Sequence, residues 1–124
     1  KINKDLIFLV PTGSEMEKAG DKMGMKVAVE IFADRNYEDN GNLVSRSKKY
    51  AMITDPNIAE QHVIKMVNNQ TINCFSGKQI SCKIDSVCVH GDGNSSVNTA
   101  KKIRVGLLKS GVTLLALDKM KKFI

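Results

Sequence analysis

Two short runs hold most of the residues able to move a proton or grip an anion. The first contains Glu30, Asp34 and Arg35, and the second contains Cys88, His90 and Asp92. A carboxylate or an imidazole can direct water at a carbonyl carbon, which makes Glu30 and His90 candidate bases. An arginine can hold a carboxylate through two parallel hydrogen bonds, and Arg35 is placed to do so. Glu30 interrupts the apolar run Val27 to Phe32, where a carboxylate is costly to bury unless it is paired. Arg35 is the nearby cation expected to pair with Glu30 or with Asp34. A structural ion pair is the plainer reading of Glu30, and His62, on an apolar helical stripe, reads as a core histidine.

Other chemistries lack their patterns. Cys82, Cys88 and His90 suggest zinc, but the spacing is not that of a CxxC knuckle and a fourth ligand is missing. Gly91-Asp92-Gly93 resembles the start of a dinucleotide loop, yet Ser96 stands at the third glycine position. Gly77-Lys78 lacks the rest of a phosphate loop, and no G-x-S-x-G serine motif occurs.

These residues need elements to position them, and the pattern supplies an alternating order. Asp5 to Val10 reads as a strand ended by Pro11-Thr12-Gly13, and Ser14 to Met23 as a helix stopped by Gly24. Lys26 to Ala33 is a second strand, followed by a polar stretch from Asp34 to Lys49 that turns at Asn40-Gly41. Asp55-Pro56 starts a helix whose apolar stripe is Ile58, Ala59, His62, Val63, Met66 and Val67. Asn69 to Ser81 reads as a loop with a small hairpin around Ser76-Gly77. Ser86 to His90 is a third strand. A helix capped by Asn94 or Ser95 then shows Val97, Ala100, Ile103, Leu107 and Leu108 on one face, and Gly111 ends it. Val112 to Leu117 is expected to be a last strand.

Alternating strands and helices argue for a parallel α/β fold, with chemistry at the strands' carboxyl ends. That rule selects Thr12-Gly13-Ser14, Asp34 to Tyr37, and His90 to Asn94. Strand alternation puts Val27, Val29 and Ile31 on one face, and Ala28, Glu30, Phe32 and Asp34 on the other. By the same count Val87 and Val89 oppose Ser86, Cys88 and His90. Glu30 and His90 should therefore share the face away from the helices.

Composition bounds the rest. In 124 residues, 42% are hydrophobic, enough for one folded domain. No apolar run nears the roughly 20 residues needed to cross a bilayer, which excludes a helical membrane protein. Lys plus Arg exceeds Asp plus Glu by 19 to 13, a net +6. The cations are scattered, and only 5% of residues are aromatic, so no nucleic-acid partner is expected. Three cysteines cannot all pair, and Lys1-Ile2-Asn3-Lys4 does not lead into a signal-peptide core. A reducing, cytoplasmic setting is the economical reading.

Three separated blocks carry a family resemblance. They are Lys26 to Tyr37 (KVAVEIFADRNY), Leu43 to Ser47 (LVSRS) and Cys88 to Gly93 (CVHGDG). Together they resemble the LamB/YcsF family, which supplies the A subunit of bacterial 5-oxoprolinase. The resemblance implies a seven-stranded TIM-like (β/α) barrel of the glycoside hydrolase/deacetylase type. It also implies ATP-dependent opening of 5-oxo-L-proline to L-glutamate with two further subunits, B and C. Such a barrel needs about 250 residues. The family's Asp-Leu-Asn-x-Asp strand and its Gly-Phe-His and Gly-x-His-Pro loops are absent here. The chain is therefore expected to be a single partial domain, residues 1–124, forming the C-terminal half.

Glu30, Asp34, Arg35, His90 and Asp92 keep the family's residues. The carried-over site is Glu30, Asp34, His90 and Asp92 for catalysis, with Arg35, Tyr37 and Arg46 binding substrate. Ser45, Asn36 and Val10 depart from the family's proline, glycine and glycine, and the first two lie in the site loop. ATP is the expected cosubstrate in the complex, and whether a divalent metal takes part stays open. A docking scaffold for the other subunits and a metal-dependent deacetylase-like hydrolase are the alternative readings. A half-barrel would expose apolar surface near Leu6, Phe8, Ala28 and Phe32, and self-association through it is a further expectation.

Overall fold

The computed structural model describes Asn3 and residues 5–124. Lys1, Ile2 and Lys4, part of the stretch read for a leader, lie outside the described residues. Three parallel strands form the main sheet, β1 (Ile7–Pro11), β2 (Lys26–Phe32) and β5 (Ser86–Cys88), in the order β1-β2-β5. Leu9 stands beside Ala28, and Phe32 beside Cys88. Among the described residues three α-helices accompany them, α1 (Glu15–Lys22), α2 (Pro56–Asn69) and α3 (Ser96–Lys109), with two 3-10 turns at Leu117–Lys119 and Lys121–Phe123. The expected small hairpin is present as β3 (Thr71–Asn73) and β4 (Gln79–Ser81), turning through Gly77 at φ +95°.

Local chemistry explains where the helices begin. Ser14 Oγ accepts from Glu17 N at 3.2 Å while Glu17 Oε2 accepts from Gly13 N at 2.6 Å, so the two side chains cap α1 reciprocally. Asp55 accepts from Asn57 N and Ile58 N, and Pro56 occupies a first-turn position with no N–H to lose. Ser95 holds the N-cap position of α3 but does not cap it; its hydroxyl donates to Thr54 O instead.

The helices cover one face of the sheet. Val10, Val27 and Val29 pack with Phe8 beneath α1, where Gly20 lies against Val27 and Phe8. Ala33 packs with Val63 of α2 and with Ile103 and Leu107 of α3, joined by Val87 and Val89. Ile31 meets Met66, Tyr37, Ile72 and Cys74. The odd-numbered residues of β2 thus face the helices, as alternation requires.

Four expectations are corrected. Val112–Leu117 is not a strand, because Val112 N donates to Leu107 O to close the end of α3. Among the described residues the three-residue β5 pairs only with β2, and Leu114 and Leu115 are exposed. The third strand stops at Cys88 rather than His90. On α3 the buried face is Thr99, Ile103, Gly106 and Leu107, leaving Val97, Ala100 and Leu108 exposed. That rotation brings Gly106 against Glu60 and Ile64 of α2. Phe8 turns toward α1 rather than the opposite face, and Ala28 on that face is fully covered.

Candidate functional site

Asp34 follows β2 by two residues and His90 follows β5 by two, so neighbouring parallel strands deliver both at their carboxyl ends. Asp34 Oδ1 lies 2.7 Å from His90 Nδ1, and Asp34 Oδ2 accepts from His90 N at 3.1 Å. One carboxylate therefore fixes both the ring and the backbone of His90. Since a carboxylate only accepts, Nδ1 carries the proton of the neutral ring and Nε2 keeps its lone pair. Phe32 stacks on the imidazole at 5.9 Å between centroids and restrains its plane. The Ala33 N–H donates to Cys88 O at 2.9 Å, continuing the ladder between the strands up to this pair.

Glu30 and His90 share the sheet face opposite the helices. Burial pushes the Glu30 carboxyl above its usual range, and the nearby His90 opposes that rise. Cys88 is close to both acids; burial chiefly, then the charges of Glu30 and Asp34, push its thiol up. A thiol so raised is a poor nucleophile.

Arg35 faces the other way. It is buried, and its Nη2 donates to Val44 O at 2.7 Å, tying the loop after β2. The expected pairing with Glu30 or Asp34 is not made among the described residues; His90 is Asp34's partner instead. The reason is alternation: Asp34 points to the site face, and the next residue must point away. Tyr37 is buried, and its hydroxyl accepts from Phe32 N at 2.8 Å, so it braces the end of β2 while its ring faces a cavity. Burial raises its phenol far above the ordinary value. Arg46 is exposed and lines neither site cavity.

One hollow is bounded by the pair, and a second lies over the neighbouring Glu30 and Phe32. The first, of about 60 Å³, is bounded by Asp34, His90, Asp92, Thr54, Ser95 and Thr99. The second, of about 320 Å³, is walled by Thr12, Asn42, Ile80 and Cys82 among others. The hairpin and the Asn40–Leu43 turn supply part of this wall, which the sequence marks only as a turn. Asp92 is exposed at the edge of the small hollow. Gly93 N donates to Ser96 Oγ at 2.9 Å, and that hydroxyl donates back to Gly93 O, so this loop closes on itself and offers no phosphate cradle. Among the described residues no three His, Cys, Asp or Glu side chains converge as a metal set.

A family model described as LamB/YcsF matches residues 1–122. The chain belongs to the LamB/YcsF family. It is 44% identical over 120 residues to the 5-oxoprolinase A subunit of Clostridium beijerinckii, covering 97% of this chain and 47% of that protein. It is 40% identical over 114 residues to the corresponding A subunit of Rhodopseudomonas palustris, covering 92% and 45%. A crystal structure of the lactam utilization protein from Thermus thermophilus superposes with a TM-score of 0.83 at 28% identity, over 93% of this chain and 45% of that one. The chain thus spans slightly under half the length of these relatives.

Proposed function

We propose that this LamB/YcsF chain contributes one part of a lactam-hydrolase site. In that reading it belongs to the A subunit of a 5-oxoprolinase, acting with subunits B and C on 5-oxo-L-proline, and it forms the C-terminal half of a closed TIM-like barrel in the cytoplasm. The observation that carries the reading is the Asp34–His90 pair at the carboxyl ends of adjacent parallel strands, within a chain of this family.

The chemistry follows from the geometry. Asp34 holds His90 in the tautomer whose Nε2 can take a proton from water, and stabilises the imidazolium that results. Phe32 keeps the ring in plane, and Tyr37 holds the backbone of Phe32. Glu30, half-buried beside them, presents a second carboxyl to the larger hollow. A lactam carbonyl is a weak electrophile, and ATP hydrolysis in the assembled complex would supply its activation. The Gly91–Gly93 loop does not fit a nucleotide, so no step here is routed through ATP. A metal-dependent route likewise lacks a three-donor set among the described residues.

Glutamate release from 5-oxoproline tests this directly. The intact protein with B and C should release glutamate only when ATP is present, and this chain alone should release none. Hydrolysis by the chain alone, or none by the assembled complex, contradicts the proposal.

A further inference from the structure

The large hollow over β2 differs from a typical anion site. Among the described residues no lysine or arginine lines it, and its one charged group is Glu30. Among the described residues, that carboxylate has no hydrogen-bonding or ionic partner contributing to its raised proton affinity; burial raises it, and His90 nearby is the only counterweight. A half-buried carboxylate with no hydrogen-bonding partner among the described residues, facing a cavity of about 320 Å³, is suited to receive a hydrogen-bond donor. The rest of the wall is neutral: Thr12, Asn42 and Cys82 beside the apolar Phe32, Leu43 and Ile80. Neutral amides and apolar ring carbons match such a lining.

We propose that the hollow beside Glu30 is the subsite for the lactam ring, and that the Glu30 carboxylate reads the ring N–H. Glu30 is then a specificity-determining residue, accepting a charge-assisted hydrogen bond that an N-alkylated lactam or a lactone cannot donate. The substrate carboxylate would lie outside this hollow, where a like charge does not oppose it. This inference rests on the proposed lactam-hydrolase reading and goes beyond it by assigning which edge of the substrate meets which residue.

The test uses neutral probes, so that binding is read apart from turnover. The full chain is titrated with 2-pyrrolidinone, N-methyl-2-pyrrolidinone and γ-butyrolactone, with backbone amide shifts followed by NMR. Saturable shifts at Thr12, Phe32 and Cys82 with 2-pyrrolidinone are expected, with the two analogues about 10- to 100-fold weaker. Glu30→Leu, which removes the acceptor, should abolish that preference, whereas Glu30→Gln, whose amide oxygen still accepts, should only weaken it. Equal binding of all three probes, shifts confined elsewhere, no saturable shift, or a preference that survives Glu30→Leu would overturn the assignment. Glutamate release by the assembled wild-type enzyme is scored separately. If release occurs while the N–H preference is absent, only this inference fails; if the preference holds without release, only the functional reading fails.

Discussion

At the scale of single residues, the site rests on one carboxylate making two contacts to the same histidine. Asp34→Asn keeps the size of the side chain but can present an N–H to Nδ1, which favours the opposite tautomer and removes the base from Nε2. In the assembled enzyme its turnover should fall about 10²- to 10⁴-fold with little change in thermal midpoint. Steady-state kinetics beside a melting curve separate that result from simple unfolding. Glu30 leads to a different prediction. Its carboxyl is held above the unfolded value, so the folded state binds more protons across the interval between the two, and stability falls as pH rises through it. Glu30→Gln should flatten that decline and raise the melting temperature at neutral pH relative to wild type. Urea titrations at several pH values check the slope.

The shared face of Glu30 and His90 is legible in the sequence, because alternation along two strands admits one register once the branched residues are assigned to the helices. The expected pairing of Arg35 with Glu30 or Asp34 fails because charge proximity in sequence ignores the same alternation, which turns Arg35 under the loop to Val44. The wall over Glu30 is illegible for another reason. Asn42, Ile80 and Cys82 come from a turn and a hairpin whose placement depends on tertiary packing, not on local pattern.

At the scale of elements, α1 and β2 must approach closely for β1 and β2 to present their carboxyl ends together. Gly20 permits this, since a Cβ there would stand 2.7 Å from Val27 Cγ2 and 3.0 Å from Phe8 Cδ1. Valine on a strand has little rotamer freedom with which to move aside. Gly20→Ala should therefore destabilise by about 1–3 kcal/mol, although alanine favours helix by about 1 kcal/mol over glycine. Chemical denaturation gives the value, and a stabilised variant would show that α1 can shift. The same reasoning explains α3, where the Gly106 contact with α2 fixes the rotation and overrides the wider apolar stripe. It explains Val112–Leu117 as well, since strand propensity forms no strand without a partner to complete the ladder.

For the whole molecule, the central claim is that two adjacent strands of this chain carry the proton-transfer centre of a LamB/YcsF lactam hydrolase. The chain covers under half of its relatives, and among the described residues neither lysine nor arginine lines either site cavity, so the proposed reading places the carboxylate of 5-oxoproline outside these hollows. The proposed proton-transfer pair, Asp34 and His90, lies wholly within this chain. His90→Gln in the intact protein, assembled with B and C, tests it most directly. Glutamine cannot accept a proton from water at neutral pH, yet it approximates the volume and polarity of the ring. Single-turnover glutamate release should fall at least about 100-fold with assembly and melting temperature unchanged. Release within about twofold of wild type would contradict the account.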